Sequence, residues 1–362
     1  MVFKGFFIDC YFAHFLHFLA GVSMSFIRCL LLITTGVLSC ASLAYTPISE
    51  SRRAELFAQF RYEPQIQITQ LKKATGCRAQ EVQYDTSYPE RETPYTVKAR
   101  LYLPAKENIP LVLMLPPIGG SNVLDTDLAQ TLCRSGMAAL LLLNDFGQIE
   151  SSQLVPVEDH NHTVRRVVAA LKGGILLAQA EIPAVNSERV GLFGASLGGI
   201  LGSMAYGVLP ELSAATFLVN GGDVPHILAF STERRIARIR RARMAEQGLK
   251  TNADYEAYLN RHLIFDPLHF VPFIPPETVK LYLSKSDDLV PTQDQMLLYE
   301  ALGSPQGTVF YNVNHYLSIF SALGVASERQ NIADWFLQRF SLENPRVQLS
   351  NFHTDTEKLQ TP

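Results

Sequence analysis

The chain has 362 residues, of which 47% are hydrophobic and 18% are charged, so it is long enough to bury one large core. Because 31 Lys and Arg face 34 Asp and Glu, the formal net charge is -3, and composition argues against a nucleic acid partner. Neither quantity identifies a substrate.

The first 45 residues differ from the rest of the chain. Residues 1–45 are almost free of acidic side chains and rich in Phe, Leu and Ile. Translation from Met24 would give the order of an export signal: a short basic segment, an apolar run and then small residues. Three fates remain open: lipidation of Cys40, whose preceding residues resemble a bacterial lipoprotein box, cleavage after Ala44, or retention as an anchor helix. We therefore expect an exported protein of the cell envelope, periplasmic, secreted or tethered to a membrane through Cys40.

Two cysteines, Cys77 and Cys133, lie beyond this segment. An oxidising compartment would permit them to pair, and two separate buried thiols fit the sequence equally well. No Cys-x-x-Cys pair or Cys/His cluster suggests a metal site, so we predict neither a metal nor a cofactor. The sequence gives no indication of the oligomeric state.

The remaining chain divides by pattern into three parts. Residues 46–79 are mixed polar and predict a linker and a surface helix, residues 80–341 predict the main domain, and residues 342–362 predict a polar tail. Residues 81–85 and 95–103 alternate polar and apolar side chains, as half-exposed antiparallel strands do. We expect these two strands to open the sheet at one edge.

Strands and helices then alternate along the main domain. The predicted strands cover 110–115, 137–143, 190–193, 214–219, 278–283 and 307–311, and the predicted helices cover 123–135, 164–180, the residues after Ser196, and 328–340. Repeated βα units imply an α/β fold with a mostly parallel sheet covered on both faces. About residues 222–273 a helical, arginine-rich insertion interrupts this alternation and predicts a lid.

One stretch predicts a nucleophile. Residues 190–193 read as a strand, 194–198 form the pattern Gly-Ala-Ser-Leu-Gly, and the following small and apolar residues read as a helix. A serine on a tight strand-to-helix turn needs glycine two residues to either side, because side chains there would collide with neighbouring backbone. Ser196 is therefore the candidate nucleophile.

An acid and a base follow at the ends of later strands. Asp287 comes directly after the strand predicted at 278–283, and His315 comes after the strand at 307–311. The carboxyl ends of parallel strands are where functional groups gather in open α/β sheets. Ser196, Asp287 and His315 thus occur in the order nucleophile, acid, base, which is the order of the α/β-hydrolase triad.

With these motifs the chain resembles the α/β-hydrolases, nearest the dienelactone hydrolase and esterase branches, over roughly residues 80–341. The nucleophile turn at Ser196, the Asp-Asp-Leu-Val-Pro loop after residue 286 and the Asn-His pair at 314–315 carry the resemblance. The spacing to Val-Pro favours Asp287 over Asp288 as the acid. The resemblance implies an α/β-hydrolase fold and a serine hydrolase that cleaves a carboxylic ester.

Acyl transfer also needs donors for the negative charge on the former carbonyl oxygen. The backbone N–H of Leu197, directly after the nucleophile, is one expected donor. The second is expected from the loop at 116–120, where Pro117 has no N–H to give. Ile118 is our choice for this second donor, and Gly119 is the alternative.

Other polar residues have less distinctive settings. His160 and His162 suggest either a metal site or a solvated loop before a helix, and the solvated loop is favoured. We expect His226 and His269, at the two ends of the insertion, to be packed by lid residues rather than to line a pocket. Residues 144–147 read as a structural turn. The insertion arginines favour an exposed helix face over contact with anionic lipid or an acidic substrate; they are Arg234, Arg235, Arg238, Arg240, Arg241 and Arg243.

The sequence thus predicts an exported serine hydrolase that cleaves a small-molecule ester of a small or medium acyl group. Within enzymes, an amidase, a peptidase or an acyltransferase would use the same triad. Outside enzymes, the alternative is a catalytically silent scaffold that binds a ligand in the envelope.

Overall fold

Nine strands run through the part of the chain that the computed structural model describes, residues 47–71, 76–90, 93–143 and 156–342. The strands are β1 (Gln67–Leu71), β2 (Gln80–Thr86), β3 (Tyr95–Tyr102), β4 (Ile109–Leu115), β5 (Ala138–Leu142), β6 (Val185–Ala195), β7 (Leu212–Leu218), β8 (Val279–Ser284) and β9 (Val309–Tyr311).

Helices connect and cover these strands. They are α1 (Glu50–Ala58), α2 (Val123–Arg134), α3 (Asp159–Glu181), α4 (Leu197–Val208), α5 (Val224–Phe230), α6 (Arg234–Glu246), α7 (Asn252–His262), α8 (Pro267–Phe270), α9 (Thr292–Ala301), α10 (His315–Ile319) and α11 (Ala326–Phe340). Single 3-10 turns follow at Val271–Phe273 and Pro276–Thr278, and a π turn at Phe320–Gly324 joins α10 to α11.

The strands form one sheet in the order β1-β2-β3-β5-β4-β6-β7-β8-β9. The pairs from β5 through β9 are parallel, and β1, β2 and β3 add to one side through antiparallel pairs. The prediction of a mostly parallel α/β sheet is therefore confirmed. The order reverses at β4, which has β5 on one side and β6 on the other, so a crevice forms at the carboxyl ends of β4 and β6.

Strand β4 explains how the sheet is covered on both faces. All seven of its residues are buried, as expected for a central parallel strand. Leu111, Leu113 and Leu115 belong to one apolar cluster, whereas Val112 and Met114 belong to a second one. The first cluster includes α3 and α4, and the second includes α2 and α11. Two helical layers therefore hold the sheet between them.

The amino-terminal part of the domain differs from the prediction. The edge strand is β1, which pairs antiparallel with β2, so the strand at 81–85 lies one position inside the edge. Helix α1 is also more than a surface helix, because Leu56 is fully buried in the first apolar cluster and Phe60, just after the helix, joins it. The sequence Gln-Ile-Thr-Gln-Leu of β1 is polar because the strand is half exposed, and it therefore resembles a linker.

The insertion predicted at 222–273 is helical, as expected, and comprises α5 to α8. Asp266 ties its two ends together, since its carboxylate accepts hydrogen bonds from Asp223 N at 3.1 Å and Leu268 N at 2.9 Å. Asn161 on α3 holds the insertion from outside: its side chain donates to His262 O at 3.0 Å and accepts from Ile264 N at 3.0 Å. The insertion is thereby fixed above α3.

A disulfide joins Cys77 to Cys133, with the two Cα atoms 5.6 Å apart. It links the segment before β2 to the end of α2, so the structure pairs the two cysteines that spacing alone left open. The predicted export segment with Cys40, the predicted turn at 144–147 and the predicted tail after residue 342 lie outside the described residues. No helix within the described ranges is long and apolar enough to cross a membrane.

Candidate active site

Ser196 occupies the turn between β6 and α4 with φ 53° and ψ −120°. A Cβ atom on Gly194 would lie 2.3 Å from Gly198 O, and one on Gly198 would lie 2.4 Å from Leu115 O. Both distances are impossible for a real side chain, so the glycines of the sequence pattern are required by this turn. The turn holds the Ser196 side chain at the carboxyl end of the sheet.

His315 lies between Ser196 and Asp287. Its Nε2 atom is 3.0 Å from Ser196 Oγ, and its Nδ1 atom is 2.6 Å from Asp287 Oδ2. Ser196, His315 and Asp287 are 7%, 3% and 6% exposed, so the three residues are largely buried. When Nδ1 carries the ring proton, Nε2 is free to accept the serine proton. The structure brings all three predicted residues together.

The loop after β8 fixes the Asp287 carboxylate. Its Oδ1 atom accepts from Leu289 N at 2.9 Å and from Val290 N at 3.1 Å, while Oδ2 also accepts from Gln295 Nε2 at 2.8 Å. Asp288 is exposed, and its backbone oxygen accepts from Thr232 N at 2.9 Å. The preference for Asp287 over Asp288 therefore agrees with the contacts of His315.

Gln295 on α9 is a site residue that sequence reasoning missed. It is fully buried, and besides contacting Asp287 its Nε2 atom donates to Val290 O at 2.8 Å. Its Oε1 atom accepts from Ser284 N at 3.0 Å, so one side chain joins the end of β8 to the acid loop. The sequence signal for Gln295 is a glutamine one turn into the helix that follows the acid loop. Only the fold shows that its side chain points towards Asp287.

The donors expected for the oxyanion lie on two segments, the start of α4 and the loop after β4. The N–H of Leu197 is the first of α4, and the first four N–H groups of an α-helix have no acceptor within the helix. Ile118 and Gly119 lie in the loop after β4, where Gly120 N donates to Pro117 O at 3.1 Å and closes a turn. Ile118, Gly119 and Leu197 all line the cavity that contains Ser196. Their role as oxyanion donors stays a prediction.

A capping box holds the start of α2 directly after this loop. Asn122 accepts from Leu124 N at 2.8 Å, and Asp125 Oδ2 accepts from Asn122 N at 2.9 Å. Asp125 is 1% exposed, and burial raises its pKa to about 6. The Asp125 carboxyl therefore anchors the loop that carries Ile118.

The described residues line a cavity of about 1140 Å³ in front of Ser196. It lies among the loop after β4, the first turns of α3, the insertion helices α5 and α6, and α10. Its apolar wall includes Ile118, Ile200, Ile227, Ile239, Val290 and Phe320, and its polar wall includes Tyr88, Glu90, His160, Thr163, Arg166 and Arg235. The space far exceeds the size of an acetyl group and fits a larger, amphipathic molecule.

Some arginines of α6 lie on the surface, and others line the cavity. Arg234, Arg238 and Arg241 are exposed, in agreement with the predicted exposed face. Arg235 lines the cavity, and its Nη1 atom is 3.4 Å from the position that a Cβ of Gly119 would take. Arg243 is 5% exposed and also lines the cavity. Arg240 is half-buried and donates to Ser231 O at 3.0 Å. The exposed-face interpretation is therefore wrong for Arg235, Arg240 and Arg243.

The histidines that flank α3 and the insertion in the sequence also have defined positions. His160 and His162 lie in the first turn of α3 rather than in a solvated loop, and burial lowers the pKa of His160 to about 4. His226 Nδ1 is 2.9 Å from Asp294 Oδ2, and its ring stacks on Phe230 at 4.5 Å. Burial lowers the pKa of His269. Neither His226 nor His269 lines the cavity, as predicted.

Within the described ranges, no group of three or more His, Cys, Asp or Glu side chains is arranged to hold a metal ion. His162 Nδ1 instead lies 3.3 Å from Tyr88 Oη.

Several solved structures have a similar fold. Acetyl xylan esterase 1 from Thermoanaerobacterium sp. JW/SL YS485 superposes with a TM-score of 0.53 at 14% identity, covering 81% of this chain and 95% of that one. The acetyl xylan esterase from Paenibacillus sp. R4 gives 0.53 at 16%, covering 81% and 97%. The α/β hydrolase GrgF from Penicillium sp. sh18 gives 0.51 at 15%, covering 72% and 99%.

This chain has the α/β-hydrolase fold. No protein-family model and no curated protein sequence matches it, and identities of 14–16% to the solved structures concern the fold. Within this α/β-hydrolase fold, Ser196 lies at the end of β6, next to the point where strand order reverses. His315, the first residue of α10 after β9, contacts Ser196, and Asp287, in the loop after β8, contacts His315.

Proposed function

We propose that this α/β-hydrolase-fold protein is a serine hydrolase that cleaves carboxylic esters through an acyl-enzyme. The observation that most supports this proposal is the unbroken chain from Ser196 Oγ to His315 Nε2 at 3.0 Å and from His315 Nδ1 to Asp287 Oδ2 at 2.6 Å. Two neighbours in fold are named as esterases, which is the same reaction class.

The first half of the reaction transfers the acyl group to the enzyme. His315 Nε2 removes the proton of Ser196 while Oγ attacks the ester carbonyl carbon, and the carbonyl oxygen becomes negatively charged. Asp287 holds the ring orientation and stabilises the imidazolium. The proton on Nε2 then passes to the alcohol oxygen, the carbon–oxygen bond breaks, and the alcohol leaves.

The second half repeats the chemistry with water. His315 takes a proton from a water molecule that attacks the acyl-enzyme, and returns that proton to Ser196 Oγ as the acid is released. The N–H groups of Leu197 and Ile118 stabilise the oxyanion in both halves, with Gly119 as the alternative to Ile118. This cycle needs neither a metal nor an organic cofactor.

We infer that the protein is exported to the cell envelope. The disulfide between Cys77 and Cys133 supports this proposal, because disulfides persist mainly in oxidising compartments. Mass spectrometry of the mature amino terminus distinguishes a lipidated Cys40, which would tether the enzyme to a membrane, from cleavage after Ala44 or an uncleaved anchor. A mature protein found in the cytoplasm with unprocessed residues 1–45 would contradict export.

Turnover of chromogenic esters of rising acyl length tests the enzymatic proposal. We expect measurable hydrolysis by the wild-type protein and a fall in kcat of about 10⁴- to 10⁶-fold for Ser196→Ala and for His315→Ala. A folded wild-type protein without turnover, or a Ser196→Ala variant with wild-type turnover, would contradict the proposal. Matching amides and an added acceptor alcohol separate ester hydrolysis from amidase and acyltransferase activity.

A further inference from the structure

The first two turns of α3 form a polar end of the cavity. Asp159, His160, Thr163 and Arg166 all line it from this helix, and Glu90 lines it from the segment after β2. None of these residues belongs to the triad or to the predicted oxyanion donors. The reaction proposed above therefore leaves this end of the cavity without an assigned task.

Two successive arginines on α3 have opposite surroundings. Arg165 has protein partners: it donates to Gln59 Oε1 at 2.5 Å, forms an ion pair with Glu90 Oε1 at 3.3 Å, and lies over the ring of Phe265 at 5.0 Å. Arg166 instead lines the cavity, where Nη2 donates to Thr163 Oγ1 at 2.9 Å. Arg165 is thus engaged in the fold, and Arg166 faces the space in front of Ser196.

The Arg166 guanidinium lacks an anionic partner among the described residues. Its Nε atom is buried there without a hydrogen-bond acceptor, and no carboxylate of those residues lies within ion-pair distance. The Thr163 hydroxyl that it contacts is neutral and donates to Asp159 O at 2.9 Å. Arg166 is half-buried and its Nη2 atom already has the Thr163 hydroxyl, so the group that lacks an acceptor is the Nε N–H, and a bound anion would supply that acceptor.

We propose that Arg166 binds a carboxylate at the far end of the substrate from the scissile ester, which makes the preferred substrate an ester that also carries a free carboxylate. This inference rests on the proposed esterase function. The planar guanidinium matches a carboxylate through parallel N–H···O bonds. The apolar wall formed by residues such as Ile200 and Ile239 suits a methylene chain between the two ends. Half-esters of linear dicarboxylic acids have this chemistry.

The proposal is tested by the ratio of kcat/KM for a charged ester to kcat/KM for a neutral ester of the same length. The kcat/KM of the full-length enzyme is measured for monomethyl esters of linear dicarboxylic acids of increasing length and for methyl alkanoates of the same chain lengths. We expect the wild type to prefer the charged member at one range of lengths. Arg166→Gln should lower the charged-to-neutral ratio about 10- to 100-fold, mainly through KM, and Arg166→Lys should restore part of it.

The matched control removes an arginine elsewhere on the lid. Arg261 on α7 is exposed and does not line the cavity, so Arg261→Gln should leave the ratio unchanged. A wild type that does not prefer the charged ester, or an Arg166→Gln variant with an unchanged ratio, would overturn the proposal. A ratio that falls equally in Arg261→Gln would also overturn it, because the effect would then reflect overall charge.

A binding measurement separates this proposal from the proposed reaction. Calorimetry of a half-ester binding to Ser196→Ala, with and without Arg166→Gln, needs no turnover. Loss of binding on removal of Arg166 supports the carboxylate site even if no ester is cleaved. Absence of Ser196-dependent turnover with every ester contradicts the esterase function alone, and equal binding by the two variants contradicts the carboxylate site alone.

Discussion

Gln295 Nε2 donates a 2.8 Å hydrogen bond to Asp287 Oδ2, the same oxygen that lies 2.6 Å from His315 Nδ1. One carboxylate oxygen is thus held from two sides, while Leu289 N and Val290 N hold the other. Because every lone-pair direction has a donor, the carboxylate cannot rotate without losing hydrogen bonds. Gln295 acts as a positioning residue for the imidazole through Asp287.

Replacing Gln295 should therefore lower kcat with little effect on KM. Gln295→Glu keeps the size of the side chain but replaces its amide donor by a carboxyl group beside Asp287, and we expect a fall in kcat of about 10- to 100-fold. The pH–rate profile should change as well, because the carboxylate next to His315 has lost a donor. Gln293→Ala is the control on the same helix, since Gln293 faces His226 at 2.7 Å and should leave kcat unchanged. Equal kcat values for wild type and Gln295→Glu would refute the positioning role.

The backbone conformation of Ser196 predicts that glycine at this position gives a more stable, inactive protein than alanine does. Its φ of 53° is unfavourable for a residue with a Cβ atom and acceptable for glycine. We expect Ser196→Gly to be about 1 kcal/mol more stable to urea than Ser196→Ala, although both variants lack the hydroxyl. Ser203→Gly, at an ordinary helical position of α4, should instead be less stable than Ser203→Ala. The reverse order at position 196 would show that the turn is not strained.

Burial of Asp125 predicts how stability depends on pH. Burial raises the pKa of the Asp125 carboxyl from its ordinary value of 3.8 to about 6, so between these pH values the folded protein binds a proton there that the unfolded chain has lost. This contribution to stability is complete below about pH 4 and is lost as pH rises towards 6 and above. Asp125→Asn mimics the protonated form, so its stability relative to wild type should rise by about 2 kcal/mol from pH 4 to pH 7. Urea unfolding at both pH values measures this difference, and a pH-independent difference would contradict it.

The disulfide should contribute strongly to the stability of the domain. It closes a loop with a sequence separation of 56 residues, for which chain entropy gives about 4 kcal/mol. Reduction with dithiothreitol should lower the urea midpoint of the wild type to that of the Cys77→Ala/Cys133→Ala variant. The double variant itself should show no response to the reductant. A wild-type midpoint that does not change on reduction would contradict a stabilising disulfide.

Strands that are buried on both faces are easier to predict from sequence than strands that are exposed on one face. The uninterrupted apolar runs of β4 and β5 identified central strands, whereas the five residues of β1 are half exposed and polar enough to read as a linker. The sequence pattern predicts the start of α3 at residue 164, later than the observed Asp159, because the first turn contains Asp, Asn and two His rather than an apolar periodicity.

The predicted site followed the same logic. Ser196, Asp287 and His315 were accessible from sequence because each follows a recognisable strand, and the glycines around Ser196 are required by the turn. Gln295 and Arg166 could not be identified from sequence. The role of Gln295 depends on which side of α9 faces the acid loop, and that of Arg166 depends on which side of α3 faces the cavity. The pairing of Cys77 with Cys133 was undetermined for a similar reason: separation along the chain does not specify distance in space.

Covalent labelling tests the central claim most directly. The full-length protein is treated with a fluorophosphonate, which reacts with serines activated by a neighbouring base, and the modified peptide is identified by mass spectrometry. We predict one adduct on Ser196 in the wild type, a labelling rate reduced at least about 100-fold in His315→Ala, and no adduct in Ser196→Ala. A folded wild-type protein that remains unlabelled at Ser196, or that is labelled equally fast without His315, would contradict the account.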